Sequence, residues 1–240
     1  MPTTVQAFPR KGVLAKNLDC SVSRLKRRIG KYKAQDAAYS YVVTSIVLDR
    51  ENLLFEQHGS APNFQGDRLT ICTCKHQMRT NLDGSQWRNK WIAGFTSRTL
   101  YGGRHWLFFL TRVADAHESH FDLWSNLPAV VRNSKSAESH FLGDVFAPRD
   151  NLVGEDRFRF RNYFAPSHHT HRKHKCDNGW HNDIQYKHSR RRGRHPALLV
   201  GDPKFTFIWT APKVFNDEDH CRNFRKWGEM DELLEHFQQE

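Results

Sequence analysis

The sequence predicts an α+β fold, built around a small curved or barrel-like mixed sheet with flanking helices. Several short segments are rich in β-branched and aromatic residues and are separated by Gly, Pro and Asn, whereas segments with helical periodicity are few. Aromatic residues make up 12% of the 240 residues, which is enough to fill a core. This balance of strands and helices is typical of α+β domains.

The N-terminal stretch is predicted to be a basic arm with one short helix. Residues 21–33 place Val22, Leu25 and Ile29 on one stripe among lysines and arginines. The C-terminal stretch is predicted to be an acidic helix packed on the domain, broken at Gly228. The predicted organisation is therefore an arm at 1–37, a domain at 38–215 and a C-terminal helix at 216–240.

The strands of the central domain are predicted from runs of Val, Ile, Leu, Tyr, Phe and Trp bounded by turn residues. They cover residues 39–48, 68–74, 91–97, 104–113, 197–200 and 205–210. Tyr101-Gly102-Gly103 predicts a hairpin between the third and fourth of these strands. Gly201-Asp202-Pro203 predicts a turn between the last two.

One helix is predicted to begin at Asp115 inside the domain. Glu118 completes a capping pattern, and Phe121 and Trp124 follow at helical spacing. Residues 128–195 show little periodicity and are long for a loop, which indicates a functional or mobile segment.

Positive charge is concentrated in two stretches of a chain whose net charge is +11. Residues 1–35 hold nine Lys/Arg and one acid, and residues 157–195 hold eleven Lys/Arg and two acids. Residues 216–240 hold eight acids and three bases. Two dense basic stretches favour a polyanionic partner over the alternative of a solvated tail and a solvated loop.

The composition also bears on the cellular environment. The chain contains no run of 18 apolar residues, which predicts no membrane span. Five cysteines are an odd number, which disfavours a disulfide framework and favours a reducing, cytoplasmic location. An organelle transit peptide is the alternative for the first 35 residues, and their low Ser content disfavours it.

A possible thiol site lies at Cys72 and Cys74, which would share one face of a strand. Lys75 and Arg79 follow, and nearby cations lower the pKa of a thiol and make it nucleophilic. The alternative is that both cysteines pack in the core as small apolar side chains.

The segment 168–195 is rich in histidine and contains Cys176. Its spacing matches no standard zinc module, so no cofactor is predicted and zinc stays an alternative. The histidines are interpreted as part of a basic face, with one or two acting as acid, base or hydrogen-bond groups. Asp144 after Gly143, and Asn63 after Pro62, are candidates whose alternative is a structural turn.

Several of these segments together resemble one family. They are Ser40–Val43, Ser60-Ala61-Pro62-Asn63-Phe64, Thr70–Lys75 with Arg79, Trp91–Phe95, Leu107–Val113, Phe121–Trp124, Gly143-Asp144, the His-rich segment, Leu198–Val200 and Phe205–Phe207. Their order resembles the second type of nucleotide-modification-associated domain over residues 38–210. Asn89-Lys90 stands where that family has Gly-Asp, and the loop after Asp144 is unusually basic. A broader likeness is to PUA-like modules, the group of EVE, ASCH and YTH domains, which hold a flipped or modified base in a small barrel.

The resemblance implies a nucleic-acid-binding protein linked to base modification, with DNA favoured over RNA as its partner. Its base pocket would draw on Asn63, Cys72, Cys74, Lys75, Arg79, Trp91, Ser97 and Asp144. Phosphates would be held by Arg98, Arg104, Arg172, Lys173, Arg190, Arg191, Arg192 and Arg194.

The alternative is an enzyme acting on a nucleobase or nucleotide. Cys74 would then be the nucleophile or a ligand, and Lys75 and Arg79 would hold phosphate. Asp144 with His169 or His181 would transfer protons. A structural role in an assembly is a third reading, and the oligomeric state is left open.

Overall fold

The computed structural model describes residues 5–167, 179–189 and 193–240. The chain divides into two compact units, each assembled from separate stretches of sequence. The first unit comprises Met1–Gln6, Gly59–Trp87 and Asp115–Val200, and the second comprises Ala7–His58, Arg88–Ala114 and Gly201–Glu240. Residues 7–37 and 216–240, predicted as an arm and a separate helix, both belong to the second unit.

The strands and helices of the described residues are mostly short. The strands are β1 (Ala38–Val42), β2 (Ile46–Asp49), β3 (Leu54–Gln57), β4 (Thr70–Ile71), β5 (Trp91–Phe95), β6 (His105–His117), β7 (Leu198–Ile208), β8 (Val214–Asn216), β9 (Arg225–Trp227) and β10 (Phe237–Gln239). The helices are α1 (Gly12–Ala15), α2 (Val22–Ala34), α3 (His76–Arg79), α4 (Gly84–Trp87), α5 (His120–Asn126), α6 (Ala129–Lys135), α7 (Gly179–Gln185) and α8 (Met230–Glu235).

The second unit contains a strongly curved mixed sheet with flanking helices, which confirms the predicted α+β class. Its strand order is β10-β8-β6-β5-β1-β9, and β7 also pairs with β6. β1 runs parallel to β5, whereas β5 and β6 form the predicted antiparallel hairpin. β2 and β3 form a separate two-stranded sheet.

Helix α2 is fixed on the core of the second unit by one apolar stripe. Leu25 and Ile29 are buried in the same cluster as Trp91 of the sheet and Leu233 of α8. The Ser21 side chain caps the helix by accepting a hydrogen bond from the Arg24 amide at 3.3 Å. This confirms a helix in the predicted segment 21–33, but Gly30 has a φ of 65° and interrupts it before Lys31.

The regular secondary structure described in the first unit consists mostly of short helices. β4 pairs with the beginning of β7 through Thr70 and Ile71, opposite Val200 and Leu199. One apolar cluster contains Cys72, Leu123, Leu127, Val131, Val145, Leu198 and Val200. A second contains Ala137, Phe146, Leu152, Tyr163, Trp180 and Ile184.

The predicted strands were wrong in three places, because pairing partners decide where a strand ends. The single strand at 39–48 is two strands, of which β1 pairs in the curved sheet and β2 pairs with β3. The strand at 68–74 is reduced to β4, so Cys72 and Cys74 lie beyond its end. The turn at 201–203 is absent, because β7 continues through it.

The predicted helix boundaries were wrong in two places. β6 extends to His117, so Asp115 lies in a strand, and Ser119 caps α5 instead. The predicted C-terminal helix at 216–240 contains β9, the short α8 and β10 instead. β9 pairs with β1 and β10 pairs with β8, and these contacts replace the helix.

Candidate functional site

The first unit buries an unusual number of polar and ionisable side chains. At most 3% of the surface of each of the following is exposed: Asn63, Thr70, Arg79, His120, Lys135, Asp144 and Asp183. Lys, Arg and Asp are seldom fully buried unless they are paired. We call the part formed by Asn63, Thr70, Cys72, Lys135 and Asp144 the buried cluster.

Lys135 lies at the end of α6 and is completely buried. Its Nζ donates hydrogen bonds to the main-chain oxygen of Asn63 at 2.9 Å and to Asn63 Oδ1 at 2.8 Å. Burial lowers the pKa of Lys135 to about 8, although Asp144 acts in the opposite direction. Loss of hydration therefore outweighs the neighbouring carboxylate, and a neutral amine becomes accessible close to neutral pH.

Asp144 is completely buried, and neither of its carboxylate oxygens has a hydrogen-bond partner within the described residues. The side chains of Thr70 and Cys72 lie close enough to the carboxylate to lower its pKa as hydrogen-bond donors, although neither contact meets strict hydrogen-bond geometry. Burial raises the pKa of Asp144 to about 6, and the positive charge of Lys135 partly offsets this rise. Buried carboxylates without a well-formed hydrogen bond are rare, and they are often found at binding or catalytic sites.

The backbone fixes the positions of these side chains. The Lys135 carbonyl accepts hydrogen bonds from the amides of Asp144 and Val145, both at 3.1 Å. A methyl group at Gly143 would come within 2.5 Å of the Ser136 carbonyl oxygen, so this close approach needs glycine.

Asn63 is held just as firmly. Its backbone pairs with Thr70 in both directions, at 2.9 and 2.8 Å. Its Nδ2 donates to the Leu142 carbonyl at 2.9 Å, and its Oδ1 accepts from the Gln65 amide at 2.9 Å.

The two cysteines of the predicted thiol site have different surroundings. Cys72 is fully buried, and burial followed by the negative charge of Asp144 raises the pKa of its thiol well above the ordinary value. A thiol in this state is a poor nucleophile. Cys74 is half-buried.

Arg79 and Lys75 contribute to local structure in this region. The Arg79 guanidinium donates to the carbonyls of Cys74 at 2.8 Å, Ala197 at 2.9 Å and Thr73 at 3.1 Å. Burial lowers the pKa of Arg79. Lys75 has a left-handed backbone, with φ of 62°, at the start of α3.

Close to Arg79 lie three residues that the sequence did not single out, namely His76, His120 and Asp183. His76 donates from Nε2 to Asp183 Oδ1 at 2.9 Å and stacks on Tyr186, with 4.7 Å between ring centroids. His120 accepts a hydrogen bond at Nδ1 from the Phe146 amide at 3.3 Å, so its proton is assigned to Nε2. Burial lowers the pKa of His120 to about 3, although the charge and backbone of Asp183 act in the opposite direction.

The remaining enzyme candidates do not converge with these groups. The ring of His181 stacks on Phe160 at 3.6 Å. Among the described residues, no hydrogen bond joins Cys74, Asp144 and His181. His169 lies outside the described residues.

A surface cavity of about 310 Å³ also lies in the first unit. Its lining includes Phe158, His195, Arg157 and Arg194. His195 stacks on Phe158 with 3.7 Å between ring centroids, and burial lowers its pKa to about 4. Arg194 is paired with Asp83 at 2.9 Å.

Four predicted site residues belong to the second unit. Trp91 is buried in the core, and its indole donates to the Lys33 carbonyl at 2.7 Å. The hydroxyl of Ser97 contacts that of Thr99 at 2.9 Å. Arg98 pairs with Asp219 at 3.1 Å and Arg104 with Glu240 at 2.6 Å, so carboxylates occupy both predicted phosphate ligands.

The second unit carries a basic face on α2. Arg24, Lys26, Arg27 and Lys31 are exposed, and none of them forms an ion pair with any described residue. We call these four residues the basic face. Arg10, Lys11 and Lys16 are likewise exposed and without an ion pair among the described residues. The predicted phosphate ligands Arg172, Lys173, Arg190, Arg191 and Arg192 lie outside the described residues.

Comparisons with known proteins give no relative. No family model, no curated protein and no solved structure matches the chain. Among the described residues, no group of three or more His, Cys, Asp or Glu side chains is arranged to hold a metal ion. No helix in the described part is long and apolar enough to cross a membrane.

Proposed function

We propose that the protein binds nucleic acid through the basic face of α2. The observation that carries this proposal is that four neighbouring cations are exposed and have no acidic partner among the described residues, on a helix whose opposite side is fixed in the core. A helix that is packed on the core presents charge to phosphates at lower entropic cost than a flexible tail does. Phosphate contacts of this kind supply sequence-independent affinity.

Three of the eight acids in residues 216–240 form ion pairs with arginines, and none of these arginines lies in α2. Asp219, Glu240 and Glu218 pair with Arg98, Arg104 and Arg225, respectively. These partners lie outside α2, so no ion pair from this region neutralises the basic face among the described residues. Its positive charge is left for an external polyanion.

The finer part of the proposal is a DNA partner and a modified or flipped base. It rests on the resemblance described above and on the convergence of Asn63, Cys72 and Asp144 in the buried cluster. Asn63 and Asp144 have no exposed surface, so a base could reach them only after the first unit opens locally. Binding through the basic face needs no such opening.

The test is a double substitution, Arg24→Ala with Arg27→Ala, compared with Arg50→Ala and Lys226→Ala. All four side chains are exposed in the second unit, so both variants lose the same charge. Binding of a fluorescent DNA duplex and of a single strand would be followed by anisotropy. The α2 variant should bind about tenfold more weakly. The slope of log K against log salt concentration should become shallower by about two units, because two phosphate contacts are lost.

The control variant should retain most of the wild-type affinity. Equal weakening by both variants would indicate a response to net charge alone and would contradict the assignment to α2. The triple variant Arg190→Ala, Arg191→Ala, Arg192→Ala tests the second basic stretch in the same assay.

A further inference from the structure

We propose that Lys135 and Asn63 form an intramolecular amide cross-link within the first unit. The Lys135 amine donates both of its observed hydrogen bonds to Asn63 and to no other described residue. The contact to Oδ1 is 2.8 Å, and the C=O bond adds about 1.2 Å, so Nζ lies within about 4 Å of Cγ. This inference does not depend on the proposed nucleic-acid binding.

Both partners are held in place before any reaction. Asn63 is fixed by its two backbone hydrogen bonds to Thr70, and Lys135 by the amides of Asp144 and Val145. Fixing two reacting groups in contact turns a slow bimolecular step into an intramolecular one with a high effective concentration. Bulk solvent does not contact the pair, since Lys135 and Asn63 have no exposed surface.

The surroundings also polarise the carboxamide. Oδ1 of Asn63 accepts from the Gln65 amide and from Lys135, so one donor stays in place when the amine moves from the oxygen to the carbon. A fixed backbone donor of this kind stabilises the negative charge that develops on the oxygen. The departing nitrogen, Nδ2, is oriented by the Leu142 carbonyl.

The reaction needs no external reagent. Neutral Nζ attacks Cγ, the new Nζ–Cγ bond forms, and the Cγ–Nδ2 bond breaks. One hydrogen moves from Nζ to Nδ2, which leaves as ammonia, and nothing is oxidised or reduced. Asp144 is the buried base available to relay that hydrogen, because it is completely buried and its charge acts on Lys135.

The charge state of Lys135 suits an attacking amine. The ionisable groups that act on it are Asp144, Cys72 and Arg68. The first two favour the charged amine and Arg68 opposes it, yet burial dominates and brings the pKa to about 8. A substantial neutral fraction therefore exists slightly above neutral pH, whereas an ordinary lysine needs pH near 10.

The test is the intact mass of the full chain after incubation above the pKa of Lys135. A cross-linked chain should be about 17 Da lighter than its sequence mass, the mass of ammonia. Tryptic digestion should give one branched peptide that joins Asn63 to Lys135, with no cleavage after Lys135. A wild-type chain that keeps its full sequence mass would overturn the proposal without any variant.

Two variants identify the bond. Lys135→Arg should keep its full mass, because guanidinium is not a nucleophile at this pH. Asn63→Asp should lose about 18 Da instead, since water replaces ammonia as the leaving group. A loss of ammonia that persists in Lys135→Arg would come from another asparagine and would also overturn the proposal.

Discussion

Lys135, Asp144 and His120 are completely or almost completely buried, and each is ionisable. Burial disfavours the charged form of each group, so the pKa of the carboxyl rises and the pKa values of the amine and the imidazole fall. These opposite shifts make the stability of the first unit sensitive to pH. The effect of each residue can be separated by substitution.

His120→Gln should remove part of the acid sensitivity of the protein. The unfolded imidazole binds a proton below pH of about 6.5, whereas the folded one stays neutral down to about 3, so the unfolded state binds more protons in this window. Stability contributed by His120 is therefore lost as the pH falls through it. One pKa unit corresponds to about 1.4 kcal/mol, so the loss is on the order of 3 kcal/mol at a pH of about 4.

The measurement is the free energy of unfolding in urea at several pH values between these limits. The curve for the variant should be flatter than that for the wild type. Asp144 protonates in an overlapping range and acts in the opposite direction, but it is common to both proteins. Parallel curves would show that His120 is not neutral in the folded state.

Sequence reasoning found part of the buried cluster. Asn63, Cys72 and Asp144 were candidates, and the structure brings them together. Lys135 was missed because lysine is so rarely buried that a lone lysine carries no signal. The one local hint is Val131, four residues earlier and on the same buried side of α6.

At the level of single elements, the start of α5 depends on Ser119. Its hydroxyl accepts from the Asp122 amide at 3.2 Å and donates to the Asp122 carboxylate at 2.7 Å. Ser119→Ala should lower the free energy of unfolding by about 1 kcal/mol, the usual value of an N-terminal cap. Thermal or urea unfolding measures this change.

Asp115→Ala is the matched control for that prediction. Asp115 is the cap that sequence patterns favoured, but it lies in β6, and its side chain is over one third exposed. Its removal should change stability by less than about 0.5 kcal/mol. A larger loss for Asp115→Ala than for Ser119→Ala would contradict the observed end of β6.

Local patterns predicted the elements that need only near neighbours. The α2 stripe and the β5–β6 hairpin were found because their signals lie within a few residues of each other. The C-terminal residues were assigned to one helix because the pairing of β9 with β1 joins strands far apart in the chain. Such pairing overrides local preference and leaves no periodic pattern to read.

The same reason explains β7. Asp202 and Pro203 usually mark a turn, yet β7, which pairs with β4 at Leu199 and Val200 and also with β6, continues through them. Two main-chain oxygens in this stretch accept hydrogen bonds from side chains. Thr206 donates to the Asp202 carbonyl at 2.7 Å, and Asn17 donates to the Pro203 carbonyl at 3.0 Å.

For the whole molecule, charge is the property that leads to a function. The net charge of +11 alone would describe solubility and nonspecific attraction. Its distribution says more, because the three C-terminal acids that pair with arginines, Glu218, Asp219 and Glu240, do so outside α2. The basic face is thereby left available for phosphates.

The most direct test of this account is the salt dependence of nucleic-acid binding by the full wild-type chain. The dissociation constant for DNA, and separately for RNA, would be measured by anisotropy across a series of salt concentrations. Four phosphate contacts from the basic face predict that log K falls with log salt at a slope of about −3 to −4. No binding at low salt, or an affinity that does not change with salt, would contradict the claim that this protein meets a polyanion through α2.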